Sequence, residues 1–383
     1  MKVFILAGEP SGDRLGGALM AGLKTLHPDV TFDGIGGPEM TEQGLKSRFD
    51  MAELSVMGLA EILPKYRALK ARIRQTAQAV LDLKPDVLIT IDSPDFSLRV
   101  AKIVRQNAQI RTVHYVAPTV WAWRPGRAAK MARWVDHVLA LFPFEPPLME
   151  AAGMACDFVG HPVVAEPQAS AAGADAFRRE SGIGAAPLLL VLPGSRRSEV
   201  TRLAPVFGAA VAQLCEQRPE LRVVVPAAAP VAGLVHDLTK GWAGQPLILD
   251  PDQMPADTFA ALKRAAFRAA DVALAASGTV SLELAAAGTP MVIAYDMNWL
   301  SRQIIGRMVK VDTVTLVNLV SDTRVVPEFI GERCKPDLIA DGVENVLASP
   351  SAQVDAMALT MQRLGQGGEA PGLRAARAVL ARM

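Results

Sequence analysis

Residues 271–296 read DVALAASGTVSLELAAAGTPMVIAYD, and this stretch decides the fold. Asp271 to Ala275 is a short apolar run of strand type, and Ser277-Gly278-Thr279 is a turn of small residues carrying two hydroxyls. Val280 to Ala287 predicts a helix stopped by Gly288 and Pro290, and Met291 to Tyr295 returns as a buried strand. A helix that opens on Ser-Gly-Thr presents unpaired backbone N–H groups at a positive dipole end, with no side chain at Gly278 to block close approach. Such a turn can hold a diphosphate. Glu283 lies four residues beyond Thr279, shares its helix face and leans back toward the N-terminus, within reach of ribose hydroxyls. The plainer reading of the same residues is a capped helix with a solvated glutamate.

Upstream, Leu188 to Leu192 predicts another strand, and it runs into Pro193-Gly194-Ser195-Arg196-Arg197-Ser198-Glu199 before a helix that begins near Glu199. Arg196 can offer a bidentate charge to a phosphate leaving group, with Gly194 and Ser195 leaving it room. Arg222–Pro226 and Leu247–Leu249 add strands. Downstream, the amide of Asn318 sits in the apolar run 316–320 and needs hydrogen-bond partners, a ligand among the candidates. Trp299 to Lys310 is an amphipathic stretch that could face a membrane.

The first half repeats the βαβ style. Val3–Ala7 predicts a strand whose carboxyl end leads into Gly8-Glu9-Pro10-Ser11-Gly12-Asp13, where α/β proteins place ligands. The loop is neither a dinucleotide fingerprint nor a P-loop. Glu9 and Asp13 would repel a phosphate, so Glu9, Ser11 and Asp13 suit a polyol, or serve as helix caps and solvated charges. Val87–Ile91 predicts a strand ending on Asp92, while Asp95 reads as the cap of the next helix. A carboxylate at the tip of an apolar strand faces the crevice and can have a raised pKa suited to general-base work. Asp92 is therefore the first candidate base and Glu9 the second. Thr112–Val116 leads to a loop with Trp121, Trp123 and Arg124, a stacking surface or strand-end packing. His114 and His161 read as hydrogen-bonded core residues. Val56, Met57 and Leu59, followed by Lys65, Arg67, Lys70, Arg72 and Arg74, have the apolar-then-basic order of a peripheral membrane site, or of a core-facing loop and a basic helix face.

At 383 residues, two domains are expected. The composition shift over 165–186 predicts a linker between a domain of 1–164 and one of 187–355, with 356–383 a helical tail that could return to the first domain. A net charge of +1 argues against a general nucleic-acid binder. The three cysteines are scattered, which fits a reducing compartment, and neither a signal peptide nor a membrane span is predicted, so a cytoplasmic location is expected.

With these residues assembled, the sequence resembles the lipid-A-disaccharide synthases, inverting glycosyltransferases of Gram-negative bacteria, over nearly its whole length. The stretches that carry the resemblance are 7–13 (AGEPSGD), 56–58 (VMG), 91–96 (IDSPDF), 114–124 (HYVAPTVWAWR), 143–145 (PFE), 160–162 (GHP), 193–196 (PGSR) and 276–279 (ASGT). Pro10 stands where the family often has Thr, and the departure touches no residue given a role. The resemblance implies an α/β GT-B architecture of two Rossmann-like domains. It also implies transfer of a diacylated glucosamine from UDP to 2,3-diacylglucosamine 1-phosphate, giving a β-1,6 disaccharide for lipid A and lipopolysaccharide. Ser277, Gly278, Thr279, Glu283 and Arg196 would then hold UDP, with no metal or other cofactor, and Asp92 would take the proton of the acceptor 6-hydroxyl. Acylated substrates would bring the chain to the inner-membrane surface. Another UDP-sugar enzyme of GT-B type, a different transferase or a UDP-N-acetylglucosamine 2-epimerase, and a noncatalytic nucleotide-sugar binder are the alternatives.

Overall fold

A computed structural model describes residues 1–54, 59–121, 126–297 and 312–383, with side chains left aside over 59–66. The chain forms two compact units, Met1–Ala165 with Leu364–Met383, and Glu166–Arg363.

The first unit runs β1 (Lys2–Ala7), α1 (Pro10–Leu26), β2 (Thr31–Ile35), α2 (Pro38–Glu42), α3 (Leu59–Leu83), β3 (Val87–Ile91), α4 (Pro94–Asn107), β4 (Arg111–Tyr115), α5 (Gly126–Met131), β5 (His137–Ala140), α6 (Pro146–Glu150) and β6 (Ala155–Phe158). Its sheet is parallel, in the order β2-β1-β3-β4-β5-β6. Helices on both faces explain why β3 is buried at every residue and reads as an unbroken apolar run. Inside the sheet, Thr90 Oγ1 lies 2.7 Å from His114 Nδ1. Burial pushes His114 and His161 down to about 4, and Val163 donates its N–H to His161 Nδ1, so both are neutral core histidines. Helix α4 starts at Pro94, two residues earlier than the sequence predicts. Ser93 takes the cap position and Asp95 a first-turn site that complements the dipole.

The last helix, Pro371–Ala381, packs on α1. Contact is close because Gly22 meets Gly372: a Cβ on Gly22 would lie 2.7 Å from the Gly372 carbonyl oxygen, and one on Gly372 2.5 Å from that of Ala18. Arg382 donates to both oxygens of Asp157 and Arg374 to the carbonyl of Phe158, fixing the tail to β6.

The second unit runs α7 (Ala171–Glu180), β7 (Leu188–Leu192), α8 (Arg197–Gln217), β8 (Arg222–Pro226), α9 (Ala232–Thr239), β9 (Leu247–Leu249), α10 (Ala256–Ala269), β10 (Val272–Ala276), α11 (Val280–Ala287) and β11 (Met291–Tyr295). Helix Leu316–Ser321, β12 (Glu328–Ile330) and helices Pro336–Ala348 and Ser351–Arg363 complete it. Its sheet is also parallel, ordered β12-β11-β10-β7-β8-β9, with β7 and β10 buried throughout.

Within the expected linker over 165–186, α7 occupies the middle and packs on α10. Arg178 anchors α7, donating to the carbonyls of Ala269 and Ala186 and to Asp271 Oδ2, and that same oxygen accepts from the Leu188 N–H. Small residues and charge over this stretch mark a short helix nailed to the start of β7 and β10.

Candidate active site

In each sheet the chain reverses direction of growth once, and the crevice at such a point, outside the carboxyl ends of the two strands, is where open α/β sheets hold ligands. The first sheet reverses between β1 and β3, where Ala7 pairs with Ile91. The tips of these strands are Gly8-Glu9 and Asp92-Ser93, so the two candidate carboxylates belong to adjacent strand ends. A Cβ on Gly8 would lie 2.6 Å from Ser93 Oγ, which shows how tightly the two loops press together.

The backbone at this edge is strained. Asp92 and Ser93 have φ of 47° and 41°, and Val116, at the tip of neighbouring β4, has φ of 82°. Left-handed conformations are uncommon for non-glycine residues and an outlier for a β-branched one, and they gather where a site needs them. Half-buried Asp92 has its pKa raised by loss of solvent, against the opposing pull of the Ser93 N–H and the positive charge of Arg127 on α5. A carboxylate in that state is a better proton acceptor than a solvated one. Ser11 lies exposed on the first turn of α1.

Beyond β5, Glu145 is buried and accepts the N–H groups of Leu141 and Phe142 at 3.1 and 3.0 Å. Burial pushes its pKa up to about 7, against those two donors and the nearby Trp121 indole. The indole Nε1 is buried without a hydrogen bond of normal geometry, yet lies close enough to favour the charged carboxylate. Trp121 meets Phe144 edge to face at 5.4 Å, and Phe144 stacks on Phe142, also at 5.4 Å. Trp121 therefore sits in an aromatic cluster.

The second sheet reverses between β7 and β10, where Leu192 pairs with Ala275. A cavity of about 440 Å³ opens here, lined by Gly194, Ser195 and Arg196 after β7 and by Ser277, Gly278, Thr279 and Glu283 after β10. All seven donor-side residues expected in these two loops face one space. The Thr279 side chain does not cap α11, and a Cβ at Gly278 would meet nothing within 4 Å, so the turn is open to a guest. Arg196 is 64% exposed and donates to Glu199 Oε1 at 3.0 Å, while Glu199 Oε2 accepts the Ser195 and Arg196 N–H groups. The guanidinium end of the pair faces solvent although the Glu199 side chain is only 13% exposed, so Arg196 can turn toward an anion that arrives.

Several lining residues escaped the sequence reading: Glu199, Ala227 and Ala228 after β8, and Phe259, Lys263 and Phe267 on α10. The α10 residues recur every fourth position, which marks one helix face but not what that face meets. Glu145 and Arg127 were missed on the first unit.

Two of the expected ligand residues have partners within the chain. Asp13 is buried, and its carboxylate accepts the N–H groups of Gly37, Glu39 and Met40, capping α2 from outside. Asn318 is buried in a helix: its Nδ2 donates to the carbonyl of Val326 and to Thr313 Oγ1, and its Oδ1 accepts the Val326 N–H. Its amide is satisfied within the chain, so it has no need of a ligand. Val56, Met57, Trp123, Arg124, the side chain of Leu59 and the 299–310 stretch lie outside the described residues.

The fold resembles solved structures of UDP-N-acetylglucosamine 2-epimerases. One from Neisseria meningitidis, bound to UDP-GlcNAc, has a TM-score of 0.62 at 12% identity, covering 100% of this chain and 99% of that one. One from Methanocaldococcus jannaschii, in complex with UDP-GlcNAc and UDP, has a TM-score of 0.61 at 12% identity over 100% and 99%. At such identity the likeness speaks for the two-unit GT-B-like fold alone. Sequence comparison is more specific. The family model described as lipid-A-disaccharide synthetase matches residues 3–372. The lipid-A-disaccharide synthase of Ruegeria pomeroyi is 66% identical over 383 residues, covering 100% of this chain and 96% of that one. The synthase of Rhodospirillum centenum is 49% identical, covering 99% and 94%. The chain belongs to the lipid-A-disaccharide synthase family.

Proposed function

We propose that the chain transfers a 2,3-diacylated glucosamine from UDP to the 6-hydroxyl of 2,3-diacylglucosamine 1-phosphate, with inversion at the anomeric carbon. Family membership makes it a glycosyltransferase of lipid A biosynthesis; the residue roles are our own reading. Asp92 takes the proton of the acceptor hydroxyl as that oxygen bonds to the anomeric carbon and the bond to UDP breaks, the electron pair leaving with the diphosphate. Arg196 and the N–H groups of the Gly278 turn receive the charge that builds on the leaving group, and Glu283 accepts from the ribose hydroxyls. Glu9, Ser11 and Trp121 serve the acceptor side, with Glu9 the second candidate base.

The observation that carries this reading is the 440 Å³ cavity in which the Gly194–Arg196 loop and the Ser277–Glu283 turn share one space. Its volume suits a small-molecule site, roughly 300–1,000 Å³. A UDP-release assay tests it: turnover is expected with the diacylated pair, and turnover of plain UDP-N-acetylglucosamine instead would overturn the substrate assignment.

The proposed peripheral attachment to the cytoplasmic face of the inner membrane rests on α3, where Arg67, Lys70 and Arg74 are exposed. Arg72 is not available for that task, because it donates to both oxygens of Glu53 and lies over the Phe49 ring. Among the described residues no helix is long and apolar enough to cross a membrane. Vesicle flotation of wild type against a variant with Val56, Met57 and Leu59 made polar decides the matter; equal flotation removes the attachment site.

A further inference from the structure

We infer that Lys263, on α10, is a positioning residue for the donor's ribose, holding Glu283 in the orientation that accepts the sugar hydroxyls. The inference rests on the donor reading of the cavity after β7 and β10. Lys263 Nζ lies 2.7 Å from Glu283 Oε2 and 5.0 Å from the centroid of the Phe267 ring. The ammonium is thus bracketed by a carboxylate and a π-face. Both members of the pair line the cavity and each is about one-third exposed, so the pair faces the space a ligand would fill.

A glutamate in the first turn of a helix is drawn toward that helix's own N–H groups. In α11 those are the groups offered to the diphosphate. Lys263 gives the carboxylate a competing partner, engages Oε2 and leaves Oε1 as the acceptor. It also offsets a negative charge that would otherwise repel the diphosphate of the same ligand. A purely structural part is a poor account of this lysine, since a partly exposed ion pair adds little to stability.

The two parts separate by which ligand atoms the lysine affects. Calorimetry on the full chain would titrate UDP and 2′,3′-dideoxy-UDP against wild type, K263M and K263R. Wild type is expected to bind UDP about tenfold tighter than the dideoxy compound, the scale of one hydrogen bond to a charged acceptor. In K263M the affinity for UDP falls about five- to tenfold and that for dideoxy-UDP less than twofold, so the preference collapses; K263R regains most of it. Equal weakening of both ligands, or no weakening, would overturn the inference. A wild type that ignores the ribose hydroxyls would overturn it as well. A wild type that binds no UDP at all would instead remove the donor reading, and this inference with it.

Discussion

Replacing Asp92 by Asn tests the proposed base without disturbing its setting. Asp92 and Ser93 both have left-handed backbone, a conformation that Asn tolerates and Ala resists by about 1–2 kcal/mol. D92N should therefore keep the fold and the donor site, whereas D92A should melt about 2–4 °C lower for each kcal/mol of strain. What D92N removes is the proton acceptor, and general-base catalysis contributes about 10²- to 10⁴-fold, or about 2.7–5.5 kcal/mol of barrier. In a UDP-release assay with the diacylated pair, kcat should fall by that factor while calorimetry finds UDP affinity within twofold of wild type. The pH profile supplies an independent sign. The base works deprotonated and burial raises its pKa, so the wild-type acid limb of kcat/KM should lie above the ordinary aspartate value of about 4. Activity is lost as pH falls through that raised pKa. A D92N variant that turns over within tenfold of wild type refutes the assignment and passes the role to Glu9.

Arg196→Ala should weaken UDP binding about 10- to 100-fold, the loss of charge-assisted hydrogen bonds, with little change in melting temperature because the guanidinium is exposed and Glu199 keeps the Ser195 and residue-196 N–H groups; unaltered UDP affinity would remove Arg196 from the diphosphate. Glu145, pushed up to about 7 in the fold from an unfolded value of about 4.3, keeps its proton in the native state until the pH rises to about 7. Its contribution is complete below the unfolded pKa and is lost as pH rises through about 7. E145Q should accordingly gain stability relative to wild type between pH 5 and pH 8 in thermal melts, and a constant difference would contradict the buried neutral acid. Gly372→Leu should drive a side chain into the Ala18 carbonyl and destabilise the first unit by about 1–3 kcal/mol, exposing the chain after Arg363 to limited proteolysis; an unchanged digest would count against the close helix contact.

What the sequence discloses and what it hides divide along the distance between partners. The strands were legible because burial on both faces leaves unbroken apolar runs, and the turns at their tips because Gly, Ser and Thr cluster there. Those local signals sufficed to place Asp92, the Gly194–Arg196 loop and the Ser277–Glu283 turn at the two reversal points. What stays hidden concerns polar side chains whose partners come from elsewhere. Asp13 looked like a ligand residue because Gly37, Glu39 and Met40, which satisfy it, belong to another element. Asn318 looked unsatisfied because Val326 closes on it only after the chain turns back. The same blindness hid Lys263, which meets Glu283 across a helix-to-helix contact, and gave residues 165–186 the look of a linker although Arg178 reaches Ala269 and Asp271. Backbone strain leaves no mark in composition at all. Nothing in the letters of Asp92, Ser93 or Val116 announces a positive φ, yet such conformations cost about 1–3 kcal/mol each. That cost falls on adjacent strand tips, beside the carboxylate proposed to move the proton. A sheet whose central strand β3 is buried at every residue can sustain that strain, and the strained edge is then where chemistry is best sought.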